Sequence, residues 1–474
     1  MKERIKSILL FSLVCMSVYF TQKLWIQLPS EMLKVFEPTR VIADSYALSD
    51  MIAPNEYLLN FGQKNHTLEY DDSRYRIWDS SRSILTEILG SDTIKVEEIT
   101  KDKYQSFHED RSLVFHFPEV INTYILAKTW DVKKPNIIAD TIPNIDDIYI
   151  YLGNGNPFFV FSGENKHLLV NNIDIDNNVL KEQLVEIENS KDYDEYYSMK
   201  ETYKIDNDIY ITYDMKNRLS TAYVSNEIPT LENEEKDQLA ERFLEKDIDY
   251  IQEIVEGSGS TIYVLNNRVL KLNINGTIEY FHALEESFPE RNLYKSLSAV
   301  ADFITQKVDS QKGMFLASIK GIESDNNFGY RLTFRYRIRG IPVLLGNREI
   351  GDYIEIEVFN NHIRSYKQFT RKEVDMNFST AIENRRMLAS FDVLDKNYDY
   401  LEKRYLQFNN KTKEEIGENV VRDVVLSSID NITLSYYDPN LKDKAEKLIA
   451  VWVVRVDGRI YAFNAYTGTL VLER

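Results

Sequence analysis

AVWVVRVDGRIYAFNA, residues 450–465, is two strands and the turn between them. Val, Ile, Trp, Tyr and Phe flank Asp457-Gly458, a dipeptide that accepts the positive φ angles of a tight hairpin turn. The same layout occurs at 262 (IYVLNNRVLKLN) and at 353 (YIEIEVFNNHIRSY), each a strand, a two-residue Asn turn and a second strand. Apolar residues at helical spacing precede these hairpins at 232–244 and 289–308, and again at 379–391 and 398–408. Pro289 suits a first helical turn. Further strands are expected at 203–213, 314–319, 330–338, 363–369, 420–426, 432–437, 448–456, 460–464 and 469–472. Helices beside antiparallel meanders make an α+β class, and the repeated layout suggests that residues 195–308 and 309–474 are related units.

Upstream, residues 29–190 have a mixed pattern and form a first exterior domain. Strands are expected at 113–117, 148–152 and 158–161, the last two joined by the turn-rich Gly153-Asn154-Gly155-Asn156-Pro157. Residues 79–89 carry helical spacing through Ile84, Ile88 and Leu89, with Gly90 as a stop. Residues 189–201, NSKDYDEYYSMKE, have no assignable period and read as a linker or a helix end.

A chain of 474 residues exceeds one hydrophobic core, so several domains are expected. The net charge is −18, and beyond residue 28 there are 53 basic and 74 acidic side chains. Such a surface repels phosphate backbones, which argues against a nucleic-acid partner. The one cysteine, Cys15, lies in the N-terminal apolar run. Residues beyond it therefore form no intramolecular disulfide and offer no thiolate for a metal or a nucleophile.

That run, SILLFSLVCMSVYFTQ at 7–22, lacks charge, Gly and Pro, and Leu24, Trp25, Ile26 and Leu28 extend it. As a helix, residues 7–28 would measure roughly 33 Å, enough to cross a hydrocarbon core of about 30 Å. Lys2, Arg4 and Lys6 keep the tip, residues 1–6, in the cytoplasm and send the remainder out. No Ala-x-Ala pattern follows the run, so an uncleaved anchor is expected over a signal peptide. Leu13 and Val14 leave no lipidation signal at Cys15. Ser7, Phe11, Val14 and Val18 fall along one helical stripe that can pack on a neighbouring spanning helix; the alternative is a lipid-facing anchor.

Chemical motifs are sparse. His66, His108, His116, His167, His282 and His362 never stand three or four apart, so no helical metal-ligand pair exists and each reads as structural. Asp174, Asp176 and Asn178 begin like a calcium loop, but Val179 and Val185 occupy the positions of the turn glycine and the bidentate acid. Gly257-Ser258-Gly259-Ser260 matches neither a nucleophile elbow nor a phosphate loop and reads as a turn. The pairs Asp71-Asp72 and Asp146-Asp147 read as charged surface. No catalytic, cofactor or metal site is expected.

Three groups of residues resemble one family. The first is Lys2-Glu3-Arg4-Ile5-Lys6-Ser7-Ile8-Leu9-Leu10 running to Leu24-Trp25. The second is Phe334, Tyr336, Gly340, Pro342 and Val343 followed by Ile354 to Val358, and the third is Val451-Trp452-Val453 with Tyr461, Phe463, Asn464, Thr467 and Gly468. The chain resembles the YycH family in these stretches and in layout. The resemblance implies three α+β exterior domains, the last two alike, outside the membrane. It further implies an accessory regulator of the WalK/YycG sensor histidine kinase, which controls the cell wall, acting beside a YycI-like protein and without catalytic residues or cofactor. Two other readings stand beside it: an extracellular module binding a cell-wall fragment between domains, and a carboxylate hydrolase, which requires acids converging in one cleft.

Overall fold

Nine antiparallel strands form the first sheet of the computed structural model, which describes residues 48–474 except 71–72, 164–165, 208, 217–218, 220, 309–312, 347–350, 375–385 and 441–445. Across the sheet the strands run Lys95–Ile99, Lys166–Asn171, Phe159–Gly163, Asn144–Tyr151, Arg111–Asn122, Glu56–Gly62, Asn65–Leu68, Tyr196–Ser198 and Tyr210–Thr212. The expected hairpin around 153–157 joins Asn144–Tyr151 to Phe159–Gly163. Helices α1 (Ser73–Gly90) and α2 (Asn178–Ser190) cover one face. There Trp78 packs edge-on against Phe115 at 5.2 Å and Trp130 at 5.8 Å. The other face joins a second apolar cluster shared with the C-terminal residues Leu434, Trp452 and Val454. Burial on both faces removes period-two alternation, which is why Glu56–Gly62, with five successive buried residues, carries no strand signal in sequence.

Three successive units follow, each a helix and then a four-stranded antiparallel meander. Helix α3 (Asn233–Leu244) precedes Gln252–Val255, Thr261–Leu265, Arg268–Leu272 and Thr277–His282. Helix α4 (Leu293–Lys307) precedes Phe315–Ser324, Asn327–Arg335, Ile354–Phe359 and His362–Phe369. Helix α5 (Ser390–Asn409) precedes Ile429–Asp438, Ile449–Val456, Arg459–Asn464 and Leu470–Glu473. Each of the three quoted hairpins belongs to a different unit. Asp457 and Gly458 take φ of 47° and 74°, as the turn requires, and Asn266 and Asn360 also lie in the left-handed region.

The division expected at 308/309 is not a sheet boundary. Thr277–His282 pairs with His362–Phe369, so the first two meanders share one eight-stranded sheet with α3 and α4 on its inner face. Pairing two open edges satisfies backbone groups that either meander alone would leave free. From the second unit the hairpin Arg337–Ile338/Ile341–Leu345 crosses to the third and pairs parallel with Ile429–Asp438. Arg74 of α1, 1% exposed, donates to Gly340 O and Asn55 O, both at 2.9 Å, and joins this hairpin to the first sheet. The described residues form one compact unit.

Several local expectations change. Residues 421–427 are helical, because Val421, Val425 and Leu426 share one buried helical face that outweighs the β preference of a valine run. Of residues 203–213 only Tyr210–Thr212 is strand; Met199–Tyr203 is a short helix closed by Lys204 at φ 60°. Helix α4 starts after Pro289, where Asn292 Oδ1 accepts Lys295 N–H at 3.0 Å and caps the first turn. One helix, α5, replaces the two expected at 379–391 and 398–408; residues 386–389 are not helical and 379–385 lie outside the described residues. The anchor, residues 7–28, with Ser7, Phe11, Val14 and Val18, also lies outside them. Among the described residues no helix is long and apolar enough to cross a membrane.

Candidate functional site

Antiparallel register places two unlike halves on the outer face of the eight-stranded sheet. On one half Lys271 faces Glu279, Glu279 faces Lys367 and Lys367 faces Glu355, while Arg331 and Glu357 pair at 2.7 Å. Alternating charge is ordinary for a sheet face in water. The other half, towards the edge strand Gln252–Val255, which has no further strand beside it among the described residues, is mostly apolar: Ile254 faces Ile262, Val264 faces Val269, and Val269 faces Phe281, with Gln252 opposite Val264 and Lys271 opposite Ile262. Ile254 and Phe281 are each 43% exposed, and nearby Tyr250 is 68% exposed. Every side chain of the edge strand is exposed. Contiguous apolar surface beside an unpaired strand edge is the character of a protein-docking surface.

A second constellation lies on the far face of the first sheet, where four histidines dispersed in sequence converge. Cross-strand register aligns Glu56, His116, Asp147, Ser162 and His167 in one polar row. His116 and Asp147 form an ion pair, their side chains 33% and 23% exposed. His167 Nδ1 lies 2.8 Å from Ser162 Oγ, and its ring stacks on Tyr104 at 4.5 Å. His108 Nδ1 lies 3.1 Å from Tyr210 OH, and His66 Nδ1 donates to Asn60 Oδ1 at 2.7 Å. The remaining two histidines, His282 and His362, pack ring against ring at 4.3 Å in the eight-stranded sheet.

The environments of these groups differ. Burial would push His116 down, but the charge and hydrogen bond of Asp147, with Glu56 and Asp146 behind, raise it to about 9. His116 is therefore an imidazolium at neutral pH. Burial lowers His66 to about 4 and His108 to about 3, so both are neutral. Burial first, and then the neighbouring Asp147 carboxylate, raise Asp146 to about 6. Asp146 thus titrates close to physiological pH.

A cleft of about 420 Å³ opens beside His116 where three parts of the chain meet. The first sheet contributes Glu56, His116, Asp146 and Asp147; the 204–212 segment contributes Asp206, Asn207 and Tyr210; the C-terminal unit contributes Asp430 and Asn431. Asn207 Nδ2 donates to Leu426 O at 2.9 Å and Ile429 O at 3.0 Å, and Asn431 Nδ2 donates to Glu56 Oε2 at 3.3 Å, so the junction is bridged by amides. Chemically the cleft offers one fixed cation and one carboxyl able to exchange a proton near neutrality.

Asp146-Asp147, expected on open surface, are therefore cleft residues; Asp71-Asp72 lie outside the described residues. The segment resembling a calcium loop leads into α2, with Val179 and Val185 on that helix, and 257–260 is a hairpin turn closed by Gly259 N–H donating to Glu256 O at 2.9 Å. Among the described residues no group of three or more His, Cys, Asp or Glu is arranged to hold a metal ion. The one sequence signal of the cleft was a polar residue interrupting an apolar strand, as His116 does in LVFHF.

No protein-family model matches the chain, and no curated protein matches it in sequence. Among solved structures, an uncharacterized protein from Eubacterium rectale ATCC 33656 is similar over 60% of this chain and 91% of its own, at 13% identity and a TM-score of 0.35.

Proposed function

We propose that this chain is a membrane-anchored extracellular regulator of a sensor histidine kinase. On this reading residues 7–28 span the membrane, and Ser7, Phe11, Val14 and Val18 face spanning helices of the kinase. The exterior docks on a YycI-like protein and on the ectodomain of a WalK/YycG-type kinase controlling cell-wall metabolism, and it performs no catalysis. The observation that carries the reading is the apolar half-face Ile254, Ile262, Val264, Val269 and Phe281 beside an open strand edge. Regulation through such contacts needs little energy: about 1–3 kcal/mol between two kinase states changes their ratio roughly 5- to 150-fold.

The test is detergent co-purification of the kinase with the full-length chain, with a chain whose residues 7–28 are replaced by an unrelated spanning helix, and with Val269→Lys/Phe281→Asp. Kinase retained by the first, and reduced about tenfold by either change, supports anchor and sheet contacts together, since losing a central apolar anchor costs about 1–2 kcal/mol. Both substituted positions are partly exposed, so the chain should still fold. Kinase recovered with none of the three sinks the regulator reading.

The junction cleft favours a second reading, a binding module for a cell-wall fragment. Saturable binding of soluble wall fragments to the full-length chain, abolished by His116→Gln, would support it. Fragment release from purified wall, lost in Asp146→Asn, would instead move the chain to the carboxylate hydrolases.

A further inference from the structure

The strand Gln252–Val255 is paired on one side only, with Thr261–Leu265. At the hairpin end Glu256 N–H donates to Ser260 O at 2.8 Å, and residues of an antiparallel pair alternate between bonded and unbonded positions. The register therefore turns the backbone of Gln252 and Ile254 towards Val264 and Ile262, and that of Glu253 and Val255 away from the sheet. Natural sheets blunt such edges with bulges, Lys or Pro. The opposite edge of this sheet, Phe315–Ser324, has a register shift between Leu316 and Ser318 and carries Lys320; Gln252–Val255 has neither device and no Pro. Its side chains are distinct on the two faces. Ile254, 43% exposed, lies on the outer face, while Val255, 66% exposed, and Glu253 lie on the inner one. Glu253 forms no ion pair among the described residues, and Tyr263 beside it donates its hydroxyl to Asp237 of α3 at 2.9 Å. The inner rim is acidic.

We propose that this edge accepts an extended, antiparallel segment of a protein partner, with apolar residues opposite Val255 and Ile254 and a Lys or Arg opposite Glu253. The inference rests on the reading of this half of the sheet as a docking surface and names the form in which the partner arrives. A strand uses the outward N–H and C=O groups of Glu253 and Val255, whereas a helix has its own backbone groups satisfied and leaves these to water. Apolar side chains on the added strand extend the row that Ile254 and Ile262 begin. The basic residue answers a carboxylate that nothing else pairs, on a chain whose surface is acidic overall. A second copy of this edge fits less well, because Gln252–Val255 contains no cation to set against Glu253.

The experiment titrates the full-length chain in detergent with the fluorescein-labelled peptide Thr-Val-Ile-Lys-Thr-Ser, whose Val, Ile and Lys fall opposite Val255, Ile254 and Glu253. Saturable binding is expected, with slowed hydrogen exchange at the Glu253 and Val255 amides. Glu253→Lys should weaken binding about tenfold, and a peptide with Glu in place of Lys should recover the loss on that variant. Val255→Pro removes only an outward N–H and should weaken binding by a similar factor. The peptide N-methylated throughout applies the same test from the other side, whether or not that variant folds. No saturable binding, or binding indifferent to both backbone changes, overturns strand addition. A dimer of the chain that dissociates in Val255→Pro assigns the edge to a second copy and overturns it as well. Kinase lost from co-purification in Val269→Lys/Phe281→Asp but retained in both Val255→Pro and Glu253→Lys also overturns it, and leaves the docking surface itself in place.

Discussion

Arg371→Met should destabilise the chain by about 3–5 kcal/mol, because it strands two buried carboxylates. Arg371 donates from Nε to Asp438 Oδ2 at 2.8 Å and from Nη2 to Asp438 Oδ1 at 3.1 Å, and the same nitrogen meets Glu446 and Asn440. The three charged side chains are 1%, 0% and 2% exposed. The cluster joins the end of the eight-stranded sheet to the C-terminal unit through a small sheet in which Tyr223–Ser225 pairs with Lys372–Glu373 and Glu446–Lys447. Removing only the cation leaves the desolvation of both acids without compensation. Denaturant midpoints measure the loss, and adding Asp438→Asn and Glu446→Gln should restore much of it. A single variant within about 1 kcal/mol of wild type would show that water reaches these acids once the guanidinium is gone.

Acid should act on His66 almost as strongly. His66 is 4% exposed, and its protonation falls from the ordinary 6.5 to about 4 through burial. Above pH 6.5 it is neutral folded and unfolded; between 6.5 and 4 only the unfolded chain binds the proton, so stability is lost as pH falls. The fall from 6.5 to about 4 corresponds to about 3 kcal/mol. His66→Gln should lack this loss, so wild type and variant approach each other by that amount between pH 7 and 4. Asp146 works in the opposite direction over a similar interval, since its raised folded value stabilises the chain as pH falls through 6. Comparing each variant with wild type, from denaturant midpoints at pH 7, 6, 5 and 4, separates the two. A gap between wild type and His66→Gln that does not change with pH would mean that water reaches the imidazole.

His116 has its own window. With its folded value near 9 above an ordinary 6.5, its contribution is whole below 6.5 and is lost as pH rises through 9. His116→Gln should therefore flatten the alkaline side of the stability profile, which the same midpoints at pH 7, 8 and 9 would check.

Sequence by itself determined those elements whose signals are local. The hairpin at 450–465 is one, since Asp457-Gly458 accepts the φ values its turn needs. Another is α3, where the Glu235 carboxylate accepts Glu232 N–H at 2.8 Å in a capping box. The α+β class with antiparallel sheets follows from such pieces. Tertiary structure decided what depends on distant partners. Glu56–Gly62 is a strand because its neighbours bury both faces, and 421–427 is a helix because the C-terminal core takes its Val421–Val425 stripe. The apolar half-face arises when one residue in two from each of four strands is set side by side, a pattern that no single strand displays. The cleft is the extreme case: Glu56, His116 and Asp147 are far apart in the chain, each an ordinary surface residue in its own window, and cross-strand register brings them together. A carboxyl titrating near neutrality follows from that assembly, because it is produced by burial and neighbouring charge, neither of which is a property of a residue type.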